Sequence, residues 1–476
     1  MANNLTVIVL AAGGGTRMKS KTMKVLHEVG GRSMIGHVLT AVQAMGPREV
    51  VAVVGTQREQ VTPHILEYLP ECVIAVQERL DGTGGAVRVA MESCSTTRGT
   101  VVVTGGDIPL IEGESLRAFA AEHDAAERAV SILTGVVPNP FGYGRIVRNA
   151  DGDVEAIVEE KDASPAQRDI REISSGILAF DAEFLLGALP RLGTDNAKGE
   201  LYLTDLVGLA RGDGLTVGAH VIEDVMQTEG ANDRAQLAEL GQELNRRIVT
   251  RWMRDGVTVM DPATTWIDAD VSLAADVTIL PGTQLLGATA IAEDAVIGPD
   301  CTLKDCEIGA GARVVRTHGE LAVIGDQATV GPFAYLRPGT SLGIGGKIGT
   351  FVETKNAQIG DGAKVPHLSY VGDAEIGERA NIGAGTIFAN YDGVAKHRTR
   401  VGRQARTGSD NVFVAPVEIG DGASTGAGAV VRRNVPPGAL AVSGGPQRNL
   451  EGWTLRKRAG TDQAAAAQAA LDDSET

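Results

Sequence analysis

One period constrains this chain more than any other feature. From Ile324 onward, apolar or small residues recur every six positions: Ile324, Val330, Leu336, Leu342 and Ile348. After a slip of register the beat resumes at Ile359, Val365 and Val371, then at Ile376 and Ile382, then at Val401, Thr407, Phe413, Ile419 and Thr425. The next residue is usually glycine, as at Gly325, Gly343, Gly360, Gly377, Gly402 and Gly420. A helix repeats at about 3.6 residues and a flat strand at about 2. A period of six belongs to a hexapeptide parallel β-helix. Each hexapeptide then makes a short strand and a corner, and three of them close a coil around an aliphatic axis. Coils stack at about 4.8 Å. The glycines are read as corner residues, because corners can require positive φ, which Gly, Asn and Asp tolerate best. A merely glycine-rich loop would not hold one phase over so many repeats.

The rest of the chain reads differently. The 476 residues exceed one ordinary core, so two or more domains are expected. The run Leu5–Leu10 is a buried parallel strand leading into Ala11-Ala12-Gly13-Gly14-Gly15-Thr16-Arg17-Met18. Strands are expected at 50–54, 73–76, 101–104, 130–136, 145–148, 154–159, 176–180 and 217–221, with helices at 35–44, 84–92, 114–123 and 183–189. That alternation predicts an α/β sheet with helices on both faces, ending near Arg234. Leu237, Leu240, Leu244, Ile248 and Trp252 then lie on one helical face, and Asp255-Gly256 stops the helix. It reads as a rigid arm between domains or as an ordinary packed helix. The expected organisation is a catalytic α/β domain over 1–234, a linker helix over 235–255, a β-helix over 256–458 and a disordered tail over 459–476. The polar stretch Asn390–Thr399 interrupts the beat and is a natural binding loop.

Composition narrows the function. The net charge of −16 argues against general nucleic-acid or anionic-membrane binding, so no nucleic-acid partner and no membrane association are expected. Any phosphate site must be built from a few local cations and backbone N–H groups. Cys72, Cys94, Cys301 and Cys306 form no C-x-x-C pair and read as buried thiols in a reducing cytosol. No window reaches membrane-spanning length and the N-terminus lacks a basic leader, so a cytoplasmic protein is expected.

The glycine loop is neither a Walker A loop nor a good dinucleotide fingerprint, since no Gly-Lys-Ser/Thr follows. Instead Leu10, Ala11, Ala12, Gly13, Gly15, Thr16, Arg17 and Met18, followed by Lys24-Val25-Leu26-His27, resemble the signature of sugar-phosphate nucleotidyltransferases. Met23 stands where that family has proline. Gln77 with Gly82-Thr83 matches its uracil-contacting stretch. Gly105-Gly106-Asp107 matches its metal-binding aspartate; a lone Asp after a strand is otherwise as often a cap. Phe141–Arg145 with Gly144, then Glu159, and Asn232 match the sugar side and the second metal ligand. Ser174 stands where the family has asparagine. The resemblance implies that a sugar-1-phosphate oxygen attacks the α-phosphate of UTP. Arg17 and Lys24 neutralise charge, and Mg²⁺ is held by Asp107 and Asn232.

The solenoid carries its own cluster: Arg337, Glu353, Lys355, His367, Tyr370, Asn381, Ala384, Asn390, Tyr391 and Ser409. A lone histidine on a solenoid is usually a surface residue. This combination, with the first site, resembles the bifunctional glucosamine-1-phosphate acetyltransferase and N-acetylglucosamine-1-phosphate uridyltransferase family over roughly residues 5–453. The resemblance implies a Rossmann-like nucleotidyltransferase domain, a left-handed β-helix, and a homotrimer with acetyl-CoA between solenoids. Its product, UDP-N-acetylglucosamine, feeds bacterial peptidoglycan synthesis. By the same carry-over His367 is the general base, oriented by Glu353, a role suited to a residue type that titrates near neutrality. Arg337 and Lys355 hold the sugar phosphate, while Tyr370 and Asn381 contact the sugar. Asn390, Tyr391 and Ser409 orient the thioester, and Ala384 and Ala427 line the CoA groove. Gly444 replaces an arginine that binds CoA phosphate in the family, which leaves Arg448 or Arg432 for that contact. Trp453 either reaches a neighbouring subunit or packs on its own chain. Two alternatives remain open: a single-activity nucleotidyltransferase with a regulatory solenoid, which would not transfer acetyl groups, and a scaffold without catalysis.

Overall fold

The computed structural model describes residues 4–445 and 447–474. These form two compact units, one ending at Asp305 and the other beginning at Cys306. In the first, the β-branched run Leu5–Ala11 (β1) is buried almost throughout. The hairpin strands Glu28–Val29 (β2) and Arg32–Ser33 (β3) follow, then Glu49–Val54 (β4), Val73–Val76 (β5), Thr100–Gly105 (β6) and Val130–Val136 (β7). Gly144–Arg148 (β8), Val154–Val158 (β9), Glu172–Asp181 (β10) and Val217–Val221 (β11) complete the set. The sheet order is β11-β7-β10-β6-β1-β4-β5, with β8 on β10 and β9 on β8. β1 is parallel to β4 and β6, whereas β10 is antiparallel to β6 and β7. Alternation along β1 sends Val7 and Val9 into one core and Ile8 into the other, so both faces need a covering layer. Helices Met34–Met45 (α1), Arg58–Tyr68 (α2), Thr83–Ser93 (α3) and Gly113–Ala125 (α4) belong to those layers. The sequence reading missed α2, whose interior Pro63 and sparse apolar stripe of Val61 and Ile65 disguise it. It also missed the helix Asp205–Gly212.

The long helix runs Arg234–Arg254, within one residue of expectation. Asp233 caps it by accepting from the N–H groups of Ala235 and Gln236. It does not stand free. Buried Asn245 donates to the Thr265 carbonyl at 2.8 Å and accepts from the Ile267 N–H at 3.0 Å, joining the helix to the first coil. The coils then proceed on three faces, with strands such as Thr258–Val259 and Thr278–Ile279 pairing in parallel one turn apart.

From Cys306 on, the coils continue, and every residue of the six-residue phase is buried, from Ile324 to Thr425. The register slip is the five-residue step from buried Thr354 to Ile359. The glycines after the phase residues correct the expectation, since few of them have positive φ. Several of them stack glycine on glycine along the axis. A Cβ at Gly325, Gly343, Gly377 or Gly402 would lie 2.6–2.9 Å from the carbonyl carbon of the glycine one coil on. Backbone approach, not corner conformation, excludes side chains there. The left-handed corners lie elsewhere and include Phe333, Phe351 and Leu368, at φ 51–58°.

The tail also departs from expectation. Residues 459–476 were read as disordered, yet a helix runs Asp462–Ser474, because the alanine run has the highest helix propensity of any residue type. The last two residues of that stretch lie outside the described residues.

Candidate functional sites

The carboxyl ends of β1 and β6 are adjacent in register, so the loops after them meet. Gly106 N–H donates to the Leu10 carbonyl at 2.9 Å, locking the Gly105-Gly106-Asp107 turn against the glycine loop. Four predicted residues converge there. Lys24 Nζ lies 2.5 Å from Asp107 Oδ2 and donates to Asn232 Oδ1 at 2.8 Å. The Arg17 guanidinium donates to the same Asn232 oxygen, also at 2.8 Å. Residues more than two hundred positions apart thus form one cluster of two cations, one carboxylate and one amide. Met23 is buried at φ −58°, the angle that proline would impose, so the departure leaves the turn unchanged. Its N–H donates to Gln60 Oε1 at 3.4 Å, a bond proline lacks.

Beside the cluster is a cleft of about 430 Å³ lined by Leu10, Ala12, Gly13, Gln77, Gly82 and Thr83, among others. Gln77 is buried and its amide donates to Asp81 Oδ1 and to the Gly82 carbonyl at 3.0 and 3.1 Å. Ala11 is buried in β1, with its side chain in the core rather than in the cleft lining. Gly105 and Asp107 close one wall of that cleft, with Ser175, Gly176 and Glu200, which the sequence reading did not place in a site. Gly176 sits in a bulge, where β10 loses register between Ser174 and Leu178, a feature that only the structure shows.

The sugar-side residues meet across β8, β9 and β10. Ser174 opposes Gly144, and a side chain at Gly144 would meet Glu159 Oε1 at 3.6 Å. Burial pushes the Glu159 carboxyl up, and Thr204 donates to it at 3.4 Å. Ser174 is buried and accepts from the Gly176 N–H at 3.3 Å. Tyr143 donates to Glu229 Oε2 at 2.5 Å, and the buried Arg145 pairs with Glu160 at 2.6 Å, holding the Phe141–Arg145 turn.

The second cluster lies on the solenoid, where stacking does the assembling. Backbone bonds link Thr350 to Leu368, His367 to Gly385, Ala384 to Asp410 and Ser409 to Gly428, at 2.7–3.3 Å. His367, Ala384 and Ser409 therefore occupy one corner column on successive coils, and Ala427, just before Gly428, takes the next place. His367 is exposed. Round the corner, Arg337, Glu353, Lys355 and Tyr370 share one face, with Tyr370 opposite Glu353 and Gly372 opposite Lys355. A side chain at Gly372 would meet the Tyr370 hydroxyl at 2.4 Å and Asn390 Nδ2 at 2.7 Å, so both groups overhang that strand.

One expectation is corrected. Glu353 accepts from Arg337 at 2.9 Å and is committed to the cation; the structure shows no bond from it to His367. Within its own chain Asn381 lies on a different face from Tyr370. It bridges Lys364 and Arg406 on the neighbouring face, because face membership follows position within the coil. Asn390 is buried and donates to Asp373. The Tyr391 hydroxyl is spent on its own loop, donating to the Gly393 carbonyl at 2.7 Å. The sequence reading missed Lys396. It follows Tyr391 in the loop that breaks the beat, and its ammonium beside Lys355 pushes the Lys355 ammonium down. Two ammonium groups lie beside Asp373, with the Arg337–Glu353 pair nearby. Arg432 and Arg448 are exposed, and Trp453 stacks under Arg458 of its own chain at 5.1 Å.

Residues 7–170 match the MobA-like NTP transferase domain family. Among curated relatives, the bifunctional protein GlmU of Corynebacterium efficiens is 56% identical over 98% of both chains. Those of Mycolicibacterium gilvum and Corynebacterium glutamicum are 57% and 55% identical over 98% of this chain and 95% and 96% of theirs. A Rossmann-like nucleotidyltransferase sheet is followed by a left-handed parallel β-helix, and two separate polar clusters sit on these folds. With that architecture, and with relatives matching it from end to end, the chain belongs to the bifunctional GlmU family.

Proposed function

We propose that the two clusters described above are the seats of the two half-reactions by which this enzyme makes UDP-N-acetylglucosamine: acetyl transfer from acetyl-CoA to glucosamine-1-phosphate, then uridylyl transfer from UTP. For uridylyl transfer, the observation that supports the assignment is the convergence of Arg17, Lys24, Asp107 and Asn232. A phosphate oxygen of N-acetylglucosamine-1-phosphate attacks the α-phosphorus of UTP, and pyrophosphate leaves with the electron pair of the broken bond. No side-chain nucleophile is needed; the protein aligns two anions and neutralises their charge. Arg17 and Lys24 lie where that charge develops. Gln77, Gly82 and Thr83 would take the base, and Gly144, Glu159 and Ser174 the sugar. The donor set suits Mg²⁺: Asp107 and Asn232 offer hard oxygens that already converge on one cation, the Lys24 ammonium. Among the described residues no three acidic, His or Cys side chains form a complete metal cage. That fits an ion completed by phosphate and water, which supplies charge neutralisation when bound.

For acetyl transfer, His367 is assigned as the base that takes the proton from the attacking amine, while the thiolate of CoA departs. Arg337, Lys355 and Lys396 would hold the sugar phosphate and Tyr370 the sugar. The column of Ala384, Ser409 and Ala427 would floor the acetyl-CoA groove, with Asn390 and Tyr391 at its edge. Asn381 is assigned to the sugar as well, and a homotrimer built through the β-helix is proposed on the likeness to the family. Light scattering should then give about three times the chain mass of 49.5 kDa. We take residues 1–234, 235–255 and 256–458 as the uridyltransferase part, linker helix and acetyltransferase part, in a cytoplasmic enzyme. Among the described residues no helix is long and apolar enough to cross a membrane. The test is incubation with glucosamine-1-phosphate, acetyl-CoA, UTP and Mg²⁺, with products weighed by mass spectrometry. N-acetylglucosamine-1-phosphate without UDP-N-acetylglucosamine, or neither product, would refute the assignment.

A further inference from the structure

The segment that carries Lys24 does not end in a free loop. Lys24–Leu26 is a single helical turn, and His27 leads into the β2–β3 hairpin, closed by Gly30-Gly31 at φ 56° and 75°. Two consecutive positive φ values are what a tight two-residue hairpin turn requires. The turn is inserted between two other elements. Gly30 faces Leu244 of the long helix, where a side chain would meet Cδ2 at 3.0 Å. A side chain at Gly31 would lie 2.3 Å from Asp268 Oδ2, in the first coil of the β-helix. Across the same junction the Gly30 carbonyl accepts from the Ala269 N–H at 2.9 Å. Arg32 pairs with Asp270 and donates to Thr40 of α1 at 3.1 Å.

Behind the hairpin is a small apolar cluster of Met18, Val29, Met34, Leu110, Ala231 and Leu240. Met18 adjoins Arg17, and Ala231 adjoins Asn232. Leu110 follows Asp107 by three residues. The cluster therefore ties the hairpin and the long helix to the backbones that carry all four catalytic groups. The helix start is tied in as well: Arg234 donates to the Met18 carbonyl at 3.3 Å, and Gln236 Oε1 accepts from the Asn232 N–H at 2.8 Å.

We infer that the first coil of the β-helix positions the uridylyl-transfer residues, acting through the Gly30-Gly31 hairpin. In this arrangement Asp270 and Leu244 are positioning residues for Lys24, although neither touches substrate. The inference rests on the assignment of Lys24 to uridylyl transfer. Small displacements of an aligning group cost rate steeply, about 10²-fold for roughly 1 Å. Asp270→Ala and Gly31→Ala are to be made in the full chain and assayed with Mg²⁺, UTP and N-acetylglucosamine-1-phosphate. The expected result is a 10- to 100-fold loss of kcat, with KM for either substrate changed little. Asp270→Glu, which keeps the ion pair, should recover most of the rate. Acetyl transfer by the same preparations should match the parent and reports on folding. Parental kcat in both disrupting variants would overturn the inference. So would a lowered melting temperature with kcat intact, which would make the hairpin a purely structural contact. If the parent itself releases no pyrophosphate, the assignment of the site fails instead.

Discussion

Histidine 37 offers a pH test of the layer beneath the catalytic loop. It lies in α1, only 8% exposed, and its Nε2 bonds the Val29 carbonyl of β2 at 2.8 Å. Burial pushes its imidazole from 6.5 down to about 4. The Val29 bond and Asp270 oppose that shift, while Arg32 adds to it. Between those values the unfolded chain binds a proton that the folded chain refuses, so stability must rise with pH across that window. Each tenfold in proton affinity is about 1.4 kcal/mol, so the full penalty, reached near pH 4 and below, is about 3 kcal/mol. Between pH 7.5 and 4.5 most of it, about 2.5 kcal/mol, should appear. The perturbation is His37→Gln, whose amide can still donate to Val29 but does not titrate. Urea titrations at the two pH values give four stabilities, and the difference of differences isolates this one residue from the other carboxylates and histidines. The parent should lose about 2.5 kcal/mol more than the variant on acidification. Parallel losses in the two proteins would show that the imidazole already accepts a proton in the folded state, and the argument from burial would be wrong.

Other outcomes follow from the same geometry. Asp107→Asn should cut pyrophosphate release by about 10²–10⁴-fold, since the carboxylate proposed to hold Mg²⁺ is also the partner of Lys24, and leave CoA release intact. His367→Ala should lower acetyl transfer by about 10²–10⁴-fold with little change in KM for glucosamine-1-phosphate, and leave uridylyl transfer alone. Because Glu353 is bonded to Arg337, Glu353→Gln should alter KM for glucosamine-1-phosphate while the pH profile of kcat stays parental; a displaced profile would restore Glu353 as the partner of His367. Gly402→Ala places a Cβ 2.5 Å from the Asp421 nitrogen and should force adjacent coils apart. Differential scanning calorimetry should show a lowered transition, and acetyl transfer should fall with it.

Periodicity determined the solenoid, because a coil that repeats in space must repeat in sequence, and every residue of the six-residue phase proved to be buried. The strands of the sheet were equally legible, since runs such as VVAVV have no other way to bury β-branched side chains on both faces. The first site was legible as motifs around Arg17, Lys24 and Asp107, each short and close to a strand end. The pattern does not encode which side chains meet across long separations. Nothing local joins Asn232 to Lys24, or Asp270 to Arg32, and only tertiary packing decides those pairs. The same holds for Glu353, read as a partner of His367 but captured by Arg337 on its own face. It also holds for Asn381, whose place on the neighbouring face is decided by its position within a coil. The glycines show the division most plainly. Their spacing was visible in the chain, but the cause at Gly325, Gly343, Gly377 and Gly402, backbone stacked on backbone at less than 3 Å from an added Cβ, exists only once the coils are closed.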